Sequence, residues 1–255
     1  MSPLIITGTG TGVGKTITTA AVAALARARG QRVAVVKPAQ TGEPPGTPPA
    51  APGDLAVVHA LTGLDDLHEL ARYPDPLSPE AAARTAGQPP LDLRRAVDYI
   101  AALAEDRDLV LVEGAGGLLV RYDPAGTTIA DLAAMLDAPV LVVTAAGLGT
   151  LNHTALTLEA LATRKLACAG VVIGSWPDRP GLAERLNLDD LAALAGQPVA
   201  GLLPAGAGRL KADQFTEMAA RGLAPALGGS FDVSAFPTAA AGVAGGRGRP
   251  TIGDL

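Results

Sequence analysis

Leu4-Ile5-Ile6-Thr7-Gly8-Thr9-Gly10-Thr11-Gly12-Val13-Gly14-Lys15-Thr16 is the stretch from which this chain is read. Leu4–Thr7 suits a buried strand, and the alanine-rich segment from Gly14 to Arg29 suits a helix that Gly30 can cap in the left-handed conformation. A strand, a glycine-rich turn, Gly-Lys-Thr and a helix in that order are what a phosphate-binding loop requires. Glycines let successive N–H groups converge on phosphate oxygens, and the helix N-terminus adds partial positive charge. Lys15 can reach the β and γ oxygens and Thr16 can ligate Mg²⁺. The spacing departs from G-x-x-x-x-G-K-[ST], because Gly8 lies six residues before Gly14 and Thr9 stands at the usual glycine position. A dinucleotide fingerprint fits less well: Gly8-x-Gly10-x-x-Val13 lacks the third glycine, and no acid follows at about 20 residues. The loop is read as a nucleoside triphosphate site.

Further apolar runs follow at Val33–Val36, Leu109–Val112, Val140–Val143, Gly170–Ile173 and Val199–Leu203, with helical segments between them. Short apolar runs alternating with helices predict a doubly wound α/β fold with a mostly parallel sheet of P-loop NTPase type. A second helix start is predicted at Ser78-Pro79-Glu80, with a capping serine, proline at the first position and an acid in the first turn. Glu43 to Gly53 holds five of the 21 prolines and reads as a mobile surface loop. We expect one domain over residues 1–225 and a disordered, non-catalytic Gly/Ala/Pro-rich tail over 226–255.

The 255 residues are 48% hydrophobic and 18% charged, enough apolar material for a core and too little charge for a disordered chain. A formal charge of −5 argues against a nucleic-acid or anionic-membrane surface, and 3% aromatics argue against stacking along a single strand. The one cysteine, Cys168, excludes an internal disulfide framework and a multi-cysteine metal site. No basic segment precedes the first strand, and Ala138–Leu151, broken by Pro139, Gly147 and Gly149, is shorter than the roughly 20 residues of a membrane span. A soluble, cytoplasmic protein is expected.

Glu113 closes the run Leu109–Val112 and precedes Gly114-Ala115-Gly116-Gly117. Ligands of open α/β sheets sit beyond the carboxyl ends of the strands, so Glu113 is the natural metal acid. Lys37 ends the second run in Lys37-Pro38-Ala39-Gln40-Thr41-Gly42, where an exposed charge is an equal alternative. Asp54, before Leu55-Ala56-Val57-Val58, reads by spacing as a helix N-cap.

Together, the phosphate loop, Lys37–Gly42, Val112–Gly117 and Gly149-Thr150-Leu151-Asn152-His153 resemble, in the same order, the dethiobiotin synthetase family over roughly the first 225 residues. The resemblance implies that CO₂ is taken up by 7,8-diaminononanoate as a carbamate, which ATP converts to a carbamic–phosphoric anhydride before the second amine closes the ring. Carried over by position, Lys15 and Lys37 are the catalytic charges, and Thr16, Asp54 and Glu113 hold Mg²⁺. The resemblance further assigns Gly12, Val13, Gly14, Lys15, Thr16, Ile17, Asp54, Glu113, Gly114, Ala115 and Gly116 to the nucleotide. Ser175, Trp176 and the loop Pro204-Ala205-Gly206 belong on its base side. Thr11, Thr41, Gly117, Leu151 and Asn152 are assigned to the diamine substrate. It also implies a homodimer in which the helix start at Asn152 receives the substrate carboxylate across a two-fold interface; by spacing alone Asn152 reads as an N-cap.

Two positions depart from the family pattern. Gly10 and Gly12 stand where many members carry acids, and Gly174-Ser175-Trp176 lacks the adenine-reading asparagine. ATP is the expected co-substrate, with CTP or another triphosphate left open. Cys168, His59, His68 and His153 read as packing or solvated residues, and Trp176 as either a lid or packing. The main rival is a nucleotide-switched partitioning or division ATPase, but Thr9-Gly10-Thr11 lacks the extra lysine usual in that class. An amide synthetase with a glutaminase domain would need a longer chain.

Overall fold

The structure, a computed structural model, describes residues 3–42 and 53–233. Nine strands and eight α-helices run β1 (Leu4–Gly8), α1 (Lys15–Ala28), β2 (Val33–Lys37), β3 (Gln40–Thr41), α2 (Asp54–Thr62), β4 (Leu67–Glu69), β5 (Arg72–Tyr73), α3 (Pro79–Thr85), α4 (Leu93–Asp106), β6 (Leu109–Gly117), α5 (Ile129–Met135), β7 (Val140–Thr144), α6 (Thr150–Thr163), β8 (Cys168–Trp176), α7 (Leu182–Ala195), β9 (Gly201–Pro204) and α8 (Ala212–Gly222) among the described residues. Seven strands form one parallel sheet in the order β4-β2-β6-β1-β7-β8-β9, and β3 pairs with β5 beside it. After β1 the chain builds one wing with β2 and β4, returns through β6, then crosses to β7, β8 and β9. Reversal of strand order at β6 and β1 opens the crevice in which such sheets bind ligands.

Alternation along the strands sends neighbouring side chains to opposite faces. Ile5 packs with Ala96, Ile100, Ile129 and Ala133 from α4 and α5, whereas Ile6 packs with the buried run Ala20–Ala26 of α1 and with Phe215 and Ala219 of α8. The alanines of α1 let that helix lie close to the sheet, which carries the phosphate loop onto the end of β1. A third cluster joins Ile173, Leu188, Leu191, Val199 and Phe231.

The six expected runs all form strands, with shifted ends, whereas β3, β4 and β5 were not expected. β6 continues through Glu113 to Gly117, because Gly8 pairs with Gly117 after a register shift beyond Ile6 and Glu113. The last strand starts at Gly201, not at Val199, and Cys168 lies inside β8. Gly30 has the left-handed φ of 79° that the cap demands. Helix α3 starts at Pro79 as expected, although the Ser78 hydroxyl makes no capping hydrogen bond. Two N-cap readings are corrected. Gly149 caps α6, so Asn152 lies in its first turn, and Gly53 caps α2, so Asp54 is its first residue. Of the expected tail, residues up to Val233 are described: Phe231 is buried and its N–H donates to Leu223 O at 2.8 Å. Residues 234–255 and most of the Glu43–Gly53 loop lie outside the described residues.

Candidate active site

Beyond the carboxyl ends of β1, β2 and β6 lies a cavity of about 610 Å³. Its wall includes Thr11, Gly12, Gly14, Lys15, Thr16 and Ile17 from the phosphate loop and α1. Lys37, Thr41, Asp54, Glu113, Ala115 and Gly116 are the other expected residues that line it. The loop approaches β8 so closely that a Cβ on Gly14 (φ 100°) would sit 2.3 Å from Gly174 O. Glycine is therefore required at position 14 by conformation and by space.

Lys37 ends β2 and reaches across to β6. Its ammonium donates to Glu113 Oε1 at 2.9 Å, to Gly114 O at 3.3 Å and to Asp54 Oδ2. The side chains of Lys37 and Glu113 are 3% and 0% exposed, so this pair is shielded from water. Burial alone would lower the Lys37 pKa, but the charges of Glu113 and Asp54 outweigh it and raise the pKa above its ordinary value. Burial would likewise raise the Asp54 pKa, yet Lys37 and hydrogen bonds including that from Thr16 hold it below the ordinary range. Lys15 differs: burial first, then the neighbouring Lys37 charge, lowers its pKa, and its ammonium donates to Gly10 O at 2.9 Å. Among the described residues no carboxylate is in salt-bridge contact with it, and it sits at the entry to a helix, available to an anion.

The Thr16 hydroxyl lies 2.9 Å from both Asp54 Oδ1 and Glu113 Oε1. Its single proton serves only one of them at a time. Glu113 Oε2 is buried with no hydrogen-bond partner among the described residues. A buried carboxylate oxygen left bare is costly, and a cation would relieve it. Magnesium suits this donor set: it takes hard oxygens, usually one or two carboxylates plus phosphates, at about 2.0–2.1 Å, for which adjacent ligand oxygens stand about 2.9 Å apart.

Gln40 was not singled out by sequence as a site residue. It is buried, and its Oε1 accepts the Asp54 N–H at 3.1 Å, so it orients the start of α2 toward Lys37. Ala39, Pro76, Leu77, Ser78, Pro79 and Val120 also line the cavity and were not expected there. The Pro38-to-Gly42 motif carried a signal for Gln40, whereas Pro76–Pro79 come from a separate turn whose local signature is only that of a helix start. Tyr122, fully buried, accepts the Ala115 N–H at 2.8 Å and braces the glycine-rich end of β6. Burial pushes the Tyr122 phenol pKa up.

Ten expected residues do not line this cavity: Val13, Gly114, Gly117, Leu151, Asn152, Ser175, Trp176, Pro204, Ala205 and Gly206. Val13 is buried beneath the loop, and a Cβ on Gly117 would stand 3.4 Å from Gly8 O. Ser175 through Gly206 lie on the β8–β9 side, where Ala205 N–H donates to Trp176 O at 2.7 Å. Trp176 packs on the third core cluster, which favours packing over a lid. Leu151 and Asn152 occupy the first turn of α6, with Asn152 exposed. The histidines fit their bland readings: His59 Nδ1 is 3.0 Å from Leu64 O, and His68 lies between Asp66 and Tyr99, 2.7 Å from each.

The family model described as "AAA domain" matches residues 2–208. Proteins named ATP-dependent dethiobiotin synthetase BioD are similar over nearly the whole chain. That of Frankia casuarinae is 61% identical over 236 residues, covering 92% of this chain and 98% of that protein. That of Rhodococcus jostii is 59% identical over 84% of this chain and 91% of its own length. That of Streptomyces avermitilis is 56% identical over 94% and 99%. Among solved structures, the cell division ATPase MinD of Pyrococcus furiosus matches with a TM-score of 0.51 at 21% identity, over 86% of this chain and 97% of that one. MinD of Pyrococcus horikoshii, complexed with Mg-ADP, matches with 0.52 at 18%, over 86% and 93%. At such identities these two report the P-loop ATPase fold alone.

Proposed function

The chain belongs to the ATP-dependent dethiobiotin synthetase family, and from that premise we propose how the residues around its cavity serve the reaction. The protein is a ligase of biotin biosynthesis that uses ATP to carboxylate and cyclise 7,8-diaminononanoate with CO₂. The observation that carries the site reading is the cluster of Lys37, Asp54, Glu113 and Thr16, with its bare Glu113 oxygen, at the mouth of a phosphate loop.

The loop amides from Gly12 to Thr16 bind the phosphates, and Ile17, Gly114, Ala115 and Gly116 border them. Thr16, Asp54 and Glu113 would hold Mg²⁺, which would supply charge neutralisation for the bound triphosphate. Lys15 and Lys37 carry the fixed positive charge that balances negative charge developing on the carbamate and the transferring phosphoryl group. The carbamate oxygen bonds to the γ-phosphorus as the bond to the ADP oxygen breaks. The second amine then attacks the carbonyl carbon and expels phosphate. Thr11, Thr41 and Gly117 lie on the diamine side.

Leu151 and Asn152 are proposed to meet the substrate carboxylate of a second copy, giving a homodimer. Leu148, 96% exposed, and Leu156, 57% exposed, flank that helix start and suit burial there. Ser175, Trp176 and Pro204–Gly206 are proposed to face the base, with CTP or another triphosphate as an alternative to ATP. No helix of the described residues is long and apolar enough to cross a membrane, and we place the protein in the cytoplasm without a nucleic-acid partner.

Phosphate release with Mg²⁺ and bicarbonate, with and without the diamine, tests the reading. Diamine-dependent release, with a product heavier than the diamine by one carbonyl less two hydrogens, is expected. Diamine-independent release without that product would overturn it in favour of a nucleotide-switched ATPase.

A further inference from the structure

Outside the cavity, four threonine hydroxyls join the phosphate loop to the start of α6. Thr144, the last residue of β7, has its Oγ1 3.3 Å from Thr9 Oγ1, 2.6 Å from Thr150 Oγ1 and 2.8 Å from Thr154 Oγ1. Thr144 and Thr154 are fully buried and Thr150 is 3% exposed, so water does not compete for these hydroxyls. The proton order follows from the far end. Thr150 Oγ1 lies 2.6 Å from Ala145 O, which can only accept, so the Thr150 proton is committed there. Thr144 must then donate to Thr150, and Thr9 and Thr154 must both donate to Thr144. One proton given and two accepted saturate the Thr144 oxygen.

The surrounding backbone holds both ends of this chain. Thr9 N–H donates to Val143 O at 2.9 Å, which ties the phosphate loop to β7 a second time. On the far side Asn187 Nδ2 donates to Ala146 O at 2.8 Å and to Gly147 O at 3.1 Å, clamping the turn that leads into α6. The turn is thus held at three successive carbonyls, and Thr144 joins it to the phosphate loop through side-chain hydrogen bonds.

We infer that Thr144 is a positioning residue that couples the phosphate loop, through Thr9, to the first turn of α6, so that nucleotide binding orders Leu151, Asn152 and His153. The kinetic arm of its test rests on the synthetase reading; the coupling itself does not.

Hydrogen exchange of the Leu151–His153 amides is compared with and without a non-hydrolysable ATP analogue and Mg²⁺ in the wild type, Thr144→Val and Thr144→Ser. Exchange is expected to slow about fivefold on binding in the wild type and in Thr144→Ser, and not in Thr144→Val. The kcat/KM for the diamine should fall roughly tenfold in Thr144→Val and recover in Thr144→Ser. Should Thr144→Val fail to fold, Thr9→Val, which leaves the buried hydroxyls in place, is expected to show the same lost coupling. Full nucleotide-dependent protection in Thr144→Val, or in Thr9→Val if that variant is used, overturns the inference, as does a wild type without protection. Failure of the synthetase reading shows separately, as absence of the ureido product from the wild type.

Discussion

On the β1–β2–β6 side of the phosphate loop, charged side chains from strand ends meet in a buried cluster: Lys37 contacts Asp54 and Glu113, and Thr16 bridges the same two acids. On the β8–β9 side the chain presents Gly174-Ser175-Trp176 and Pro204-Ala205-Gly206, where a backbone bond from Ala205 to Trp176 closes the edge. β1 and β7 lie between the two regions, and Gly14 packs against Gly174 where the phosphate loop passes the end of β8. The first spends side-chain charge on phosphate and metal, which need field strength at fixed points. The second offers backbone, the Ser175 hydroxyl and Trp176, whose indole packs on the third core cluster; as the proposed base side it would discriminate weakly between bases. If the proposed base side is correct, recognition of the triphosphate is uncoupled from recognition of the base.

Removing Lys37 should break this comparison most severely. Lys37→Met is expected to lower kcat by on the order of 10³-fold, as loss of a preorganised charge does. It should also lower stability by about 3 kcal/mol, because the fully buried Glu113 is left without its cation beside the partly exposed Asp54. Thermal melts with and without Mg²⁺ check the cause: the ion should recover part of the loss in Lys37→Met.

A change of pH sharpens the contrast between the two lysines. Burial and Lys37 lower the Lys15 pKa, so Lys15 loses its charge at a lower pH than a free lysine. Bound phosphate favours the charged form and returns the pKa upward, so nucleotide binding should take up protons as pH rises through the lowered value. Calorimetry in buffers of different ionisation enthalpy measures the uptake. Lys37, whose pKa is raised by its two carboxylates, should contribute none in that window, and Lys15→Met should abolish it.

The base side should give the smallest effect. Ser175→Asn adds an amide able to meet a base edge, and a neutral hydrogen bond contributes about 1 kcal/mol, so the kcat/KM ratio of ATP to CTP should rise about fivefold. Little change in kcat with ATP is expected. A ratio unmoved by the substitution would show that Ser175 does not face the base.

Much of the site was legible along the chain. Gly14-Lys15-Thr16 after a buried strand carries its own structure, and Glu113 was readable because it ends an apolar run beside glycines, whereas Lys37 at the end of its own run read equally well as an exposed charge until the family resemblance gave it a role. Asp54 was not: by spacing it looked like a cap, and only the placement of α2 beside β2, with Gln40 accepting its N–H, turns it onto Lys37. Pro76–Pro79 were equally hidden, since no local pattern says that the turn before α3 closes the cavity wall.

The sequence by itself determined six of the seven main-sheet strands, their parallel direction, and the phosphate loop, because hydrophobic periodicity and glycine conformation act over a few residues. Tertiary structure alone decided that Glu113 Oε2 is left bare, that Lys15 and Lys37 have opposite pKa shifts, and that Thr144 joins Thr9 to Thr150. Those properties depend on burial and on distances between strand ends far apart in the chain, and such distances exist only once the sheet has closed around its two faces of helices.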